Sequence, residues 1–191
     1  SFLFIGLFAL SIASWSLCQS GFLQLLIPDG AALYFVDFFS FYLFPSCFNL
    51  FVASICKGKS ETLFCIFSAA YLIESAISTI LQFAGIADMF EMIRMGHITM
   101  AANVFFVFYC LNIEIKKENN DMARKFRFPL YVVMFFAAGE LITYYLNDFR
   151  ETSYFIPMGT IVFIVMLASQ LVSHYYQGLL EEEKMAYFKK L

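Results

Sequence analysis

Charge is scarce in this chain, and so are the residues that punctuate loops. Asp, Glu, Lys and Arg make up 14% of its 191 residues, where a soluble domain carries about a quarter. Nine Gly and four Pro leave little material for linkers, or for the broken helices from which transporters build midplane sites. No HExxH, GxSxG, GxxxxGK[ST] or GxGxxG occurs, so the common zinc-protease, hydrolase and nucleotide-binding mechanisms have no sequence basis, and no cofactor is expected. The five cysteines (Cys18, Cys47, Cys56, Cys65 and Cys110) form no CxxC pair and no Cys–His set with zinc spacing. They read as small buried hydrophobes, and no metal site is expected. No basic groove with interleaved aromatics lies outside the apolar runs, which argues against nucleic acid as a partner.

What the chain has in excess is apolar surface. It is 61% hydrophobic and 20% aromatic, with 26 Phe and a mean hydropathy of +0.75. That surface overfills any soluble core of this length, so its expected partner is the lipid bilayer. Six runs approach the roughly 20 residues a membrane helix needs: Phe2–Cys18, Ala32–Cys56, Thr62–Ala84, Met95–Ile115, Phe128–Leu146 and Ser153–Tyr175. Between them lie Pro28-Asp29-Gly30, Lys57-Gly58-Lys59, Gly85 to Arg94, Lys116 to Arg127 and Asn147 to Thr152. The runs are continuous rather than alternating, which excludes a β-barrel. The expected fold is an all-α, polytopic transmembrane helix bundle of about six spans, with successive helices antiparallel across short connections. Ser1 opens inside an apolar run with no basic segment before it, which reads as a fragment rather than a signal peptide.

Orientation follows from the basic residues. Alternating sides along the chain puts Lys57, Lys59, Lys116, Lys117, Arg124, Lys125, Arg127, Lys184, Lys189 and Lys190 on one side, and Arg94 and Arg150 on the other. The crowded side is expected to be cytoplasmic, with the C-terminus inside. Asp88-Met89-Phe90-Glu91 has capping-box spacing, which starts the fourth span near Met89. Thr152 or Ser153 can cap the last one, with Pro157 in its first turn.

The last helix is expected to outrun the membrane. From Tyr154 towards Lys190 only Gly178 interrupts good helix formers. Thirty-odd residues span roughly 50 Å, against a hydrocarbon core of about 30 Å. Tyr176, Leu180, Lys184, Tyr187 and Leu191 step by four, four, three and four, near a coiled-coil seam. Leu180, Tyr187 and Leu191 are the candidates for signal transmission and for a homodimer contact; a solvated charged tail is the competing reading. The chain divides into a transmembrane sensory bundle over residues 1–176 and the start of a cytoplasmic signalling helix over 177–191.

Ionisable groups inside a membrane are costly and mark functional sites. Counting 1.5 Å per residue from the outer edge puts Asp37, Glu140 and Glu74 at roughly 8, 9 and 15 Å. His97 and Asn103 fall on the fourth span nearby. The functional reading is a polar pocket for a small ligand or a proton, lined by Asp37, Glu74, His97, Asn103 and Glu140 and open to the outside. The competing reading is that Asp37 and Glu140 snorkel while Glu74 is hydrogen-bonded to a neighbouring helix. Pro45 predicts a kink in the second span, with Asn49 placed to satisfy the carbonyl it frees.

The run Phe2-Leu3-Phe4-Ile5-Gly6-Leu7-Phe8-Ala9-Leu10, followed by Ser16-Leu17-Cys18-Gln19-Ser20-Gly21-Phe22-Leu23-Gln24-Leu25-Leu26, resembles the second helix and loop of the bacterial seven-helix receptors with diverse intracellular signalling modules. The segment from Leu33 to Phe51 around Pro45 is similar too, as is the run into Glu181-Glu182-Glu183-Lys184. The resemblance implies seven spans in the full protein, with the first lying upstream. It also implies an extracellular sensor domain or ligand, and a cytoplasmic output domain such as a GGDEF diguanylate cyclase or a histidine kinase. The membrane part would then carry no catalytic residue and would relay a signal across the inner membrane. The rival reading is a small secondary transporter or channel subunit.

Overall fold

Seven helices occur among the described residues. They are α1 (Phe2–Gln19), α2 (Phe22–Leu26), α3 (Gly30–Ala53), α4 (Gly58–Phe83), α5 (Met89–Lys116), α6 (Asp121–Leu146) and α7 (Phe155–Phe188). The computed structural model describes the backbone of residues 2–20, 22–116, 118–146 and 154–188. It describes the side chains of residues 3–20, 22–116, 118–146, 154–170 and 172. No strand occurs among the described residues. The six longer helices correspond one for one with the six apolar runs. Four of them (α3, α4, α5 and α6) are long and apolar enough to cross a membrane by themselves, and Leu3–Gln19 and Phe155–Gln170 form shorter apolar helices.

The helices begin before or end beyond the apolar runs, because capped polar turns extend them. Asp29 accepts the N–H groups of Ala31 and Ala32 (3.0 and 3.2 Å) and starts α3 at Gly30. Asn120 does the same for Met122 and Ala123 (3.1 and 3.2 Å), so α6 begins at Asp121 rather than at Phe128. Pro129 therefore lies inside α6 instead of at its start. Asp88 accepts the Phe90 N–H at 2.9 Å, and α5 starts at Met89. Thr152 and Ser153 lie outside the described residues.

Packing closes a ring. α1 contacts α3, α3 contacts α4, α4 contacts α5, α5 contacts α6, α6 contacts α7, and α7 returns to α1. α3 also touches α5 and is the most enclosed: 67% of its most apolar stretch is buried, against 28–33% for α4, α5 and α6. Phe8, Phe48 and Phe163 meet at centroid separations of 5.4 to 6.2 Å and join α1, α3 and α7. Large apolar side chains such as Ile80, Phe105, Phe135 and Ile161 point away from the bundle and stay exposed, as a lipid-facing surface requires.

Small polar residues let two helices approach closely. Ser60, Ser68, Ser75 and Ser78 lie buried on one face of α4, alongside Phe64 and Tyr71. The Ser68 hydroxyl meets that of Ser46 on α3 at 2.6 Å. Gly159 serves the α6–α7 contact: a Cβ there would come within 2.5 Å of Phe136 Cβ. α3 runs unbroken through Pro45. Asn49 Nδ2 donates to the carbonyl of Pro45 itself at 2.9 Å; the carbonyl that lacks a donor, because Pro45 has no N–H, is the one four residues earlier.

The two ends of the bundle can be named by their loops. At the Asp88 end, where α3, α5 and α7 begin, the Asp88 carboxylate accepts the Tyr34 hydroxyl as well as the Phe90 N–H. The Tyr34 bond and then the Phe90 bond hold the Asp88 carboxyl below the ordinary carboxylate value. A folded-state value that is depressed stabilises the fold above the unfolded value, and this contribution is lost as pH falls through the folded one. Asp88→Asn is therefore expected to lower the neutral plateau of the melting profile and flatten its acid limb, while leaving stability at the acid end in place. Parallel thermal melts from neutral pH down through the carboxylate range check this.

Candidate functional site

Two small cavities lie on the axis of the ring. The first, of about 40 Å³, lies between α1, α3, α5, α6 and α7. Asp37, His97 and Glu140 line it, with Trp15, Phe41 and Tyr144 among its aromatic walls. Three of the five residues singled out from the sequence therefore converge, and each is held by a different device.

Asp37 on α3 accepts two hydrogen bonds from Gln19 Nε2 on α1, at 3.2 and 3.0 Å. That pair ties the last turn of α1 to α3. Glu140 on α6 is 8% exposed. Its Oε2 accepts the N–H groups of Phe155 and Ile156 at 2.7 and 3.0 Å. These are the first N–H groups of α7, which have no partner inside their own helix. Glu140 thus caps α7 from a neighbouring helix, and its charge lies at the positive end of the α7 dipole. The carboxylate does not snorkel; it is inside the protein and committed.

His97 on α5 is 7% exposed and is enclosed by rings. Its centroid lies 5.6 Å from Phe41, 4.6 Å from Tyr144 and 5.8 Å from Tyr145. Its Nδ1 is buried without a hydrogen-bond partner among the described residues. A buried polar atom of this kind calls for water or a ligand.

The second cavity, of about 30 Å³, lies deeper along the axis and shares Met100 and Ile156 with the first. Phe8, Phe44, Pro45 and Phe48 give it apolar walls, and Asn103 and Thr160 are its polar side chains. Thr160 is satisfied by donating to the Ile156 carbonyl at 2.8 Å. The Asn103 side chain meets the Tyr71 hydroxyl on α4.

Glu74 lines neither cavity. It sits between α4 and α5, where the Thr99 hydroxyl donates to Oε1, and its Oε2 is buried without a partner among the described residues. Nearby, the Tyr42 hydroxyl meets that of Ser78 at 3.3 Å. The deepest acid is thus an interhelical hydrogen-bonding group, apart from the pocket that holds Asp37 and Glu140.

Sequence reasoning named neither Gln19 nor Trp15 among the pocket residues. It also passed over Glu114, which is fully buried at the opposite end of the bundle. Glu114 accepts Asn120 Nδ2 at 2.7 Å and the Lys57 N–H at 3.3 Å. The signal was present: Glu114 stands one residue inside the end of its apolar run. Leu180 and Tyr187 lie on the backbone of α7, but their side chains are outside the described residues, and so is Leu191. Among the described residues no three His, Cys, Asp or Glu side chains group as a metal site. No protein-family model, no curated protein and no solved structure matches the chain.

Proposed function

We propose that this chain is the membrane-embedded input module of a bacterial signalling protein, relaying a signal from a pocket on the outer side through α7 to a cytoplasmic output domain. One observation carries the reading. Glu140 is both a wall of the axial cavity and the cap of α7. Any occupant that draws on this carboxylate competes with the first turn of α7.

α7 is suited to pass that change on. It is a single helix of 34 residues, about 51 Å long, and so outruns a hydrocarbon core of about 30 Å. The distribution of Lys and Arg supports a cytoplasmic far end, where a diguanylate cyclase or histidine kinase domain would receive it, as in the seven-helix receptors the sequence resembles. A ligand drives such a device only by its difference in affinity between two helix arrangements. The long helices are continuous through Pro45 and Pro129, whereas transporter sites are built from broken ones.

Hydrogen exchange along α7 tests the relay in nanodiscs. Glu140→Gln is expected to speed exchange in the first turn of α7 and also in its far segment, residues 177–188. A change confined to the first turn would sink the relay and leave Glu140 as a local cap.

A further inference from the structure

Two larger hollows lie between α5 and α6. The first, of about 350 Å³, has Phe90, Glu91 and Arg94 of α5 and Tyr144 of α6 in its walls. The second, of about 420 Å³, is lined by His97, Ile98 and Ala101 of α5 and by Ile142 and Tyr145 of α6. Phe90, Arg94, His97 and Ala101 step by four, three and four, so they share one face of α5 and the two hollows follow one track. Ile98 and Ile142 are 64% and 59% exposed, which opens the second hollow on the outer surface of the bundle. Between Arg94 and Glu114, α5 carries no Asp, Glu, Lys or Arg. The edge of the hydrocarbon therefore falls near Arg94. The charged hollow lies at the depth of lipid heads, and the apolar one at the depth of their chains.

From this arrangement we infer that the α5–α6 track is a site for one phospholipid of the surrounding bilayer, with a phosphate and a primary ammonium in its head. Arg94 holds the phosphate, Glu91 holds the ammonium, and one acyl chain lies in the second hollow. The planar guanidinium fork suits a phosphate. Arg94 already makes an interaction within the protein, but its five N–H donors can serve more than one partner. Glu91 stands three residues away, about 4.5 Å along the axis, a separation that the two-carbon link of an ethanolamine head can bridge. Its carboxylate disfavours heads with negative charge alone. A group the size of a water takes roughly 30 Å³, so the second hollow holds about a dozen chain carbons. Any bilayer offers a hydrocarbon chain to such a groove; the charged pair above it is what selects the head. The site is separate from the axial cavity and does not depend on that cavity's role.

Native mass spectrometry of the full chain released from detergent micelles counts bound lipids. Phosphatidylethanolamine, phosphatidylcholine and phosphatidylglycerol with identical chains are titrated in turn, alongside chain-free phosphoethanolamine. The expected result is one saturable lipid, with the ethanolamine head held about fivefold tighter than the glycerol head, the scale of one partly exposed ion pair. The choline head, which has no N–H to donate, should fall between them. Glu91 and Arg94 are exposed, so changes there leave the core packing alone. Glu91→Gln should erase the preference for ethanolamine over glycerol without weakening the glycerol lipid. Arg94→Gln should weaken all three lipids, and Arg94→Lys, which keeps the charge but not the fork, should weaken them less. Ala101→Phe fills the second hollow and should weaken all three while keeping their order. Equal binding of the three heads, or a preference that survives Glu91→Gln, overturns the assignment and leaves only unselective boundary lipid. Displacement of the lipid by phosphoethanolamine at equal concentration also overturns it, in favour of a soluble ligand.

Discussion

Glu114→Ala is expected to destabilise the bundle by about 3 kcal/mol, the upper range for leaving buried donors unsatisfied beside a lost charged acceptor. Glu114 is fully buried, and its carboxylate gathers three segments of chain. It accepts from Asn120 in the α5–α6 turn and from the backbone of Lys57 before α4, and it is itself part of α5. Asn120 in turn donates to the Ile55 carbonyl at 2.9 Å and caps α6. Both neighbours of Glu114 are donors. A glutamine there can accept from one of them only, and must point its own amide hydrogens at the other. Glu114→Gln is therefore expected to cost about half as much as the alanine change, because one of two hydrogen bonds is kept. Asn120→Ala should be strongly non-additive with Glu114→Ala, since the two share a bond. Detergent-driven unfolding of the two single variants and the double variant measures this. Additive costs would show that the pair is not a unit.

Glu140→Ala is expected to cost about 2 kcal/mol, the upper range for removing a charged helix cap from a partly buried site. The N–H groups of Phe155 and Ile156 lose their acceptor, and few alternatives exist at that depth. Glu140→Gln keeps one acceptor oxygen but loses the charge, so its cost should fall to about 1 kcal/mol, as for a neutral cap. Glu140→Asp shortens the reach by one methylene and tests geometry at constant charge. The same unfolding assay separates the three. Equal costs for Gln and Ala would show that the charge at the α7 dipole matters more than the hydrogen bonds.

Much of the architecture was legible beforehand. The six apolar runs became the six ring helices, and Asp88 capped α5 where its spacing placed it. Depth was legible as well, because helix rise is a local property at 1.5 Å per residue. Asp37, His97 and Glu140 were expected at similar depth, and they share one cavity. The edges were less legible. Asn120 carries α6 back to Asp121 through a charged stretch that the apolar run omits. A polar first turn in the headgroup layer has no hydropathy signature.

What the amino-acid order determined is therefore the set of elements, their all-helical class, their membrane character and the height of each polar group along its helix. Only the tertiary structure decided how those groups are turned. In a soluble helix the polar face marks the outside, and periodicity reveals orientation. Here lipid and core are both apolar, so Phe135 facing outward and Phe48 facing inward look alike in the sequence. Depth alone could not show that Glu74 turns towards Thr99 while Glu140 turns towards α7. That a carboxylate on α6 would cap α7 depends on two helix axes converging. That convergence is set by close packing at Gly159 against Phe136, which no local pattern records.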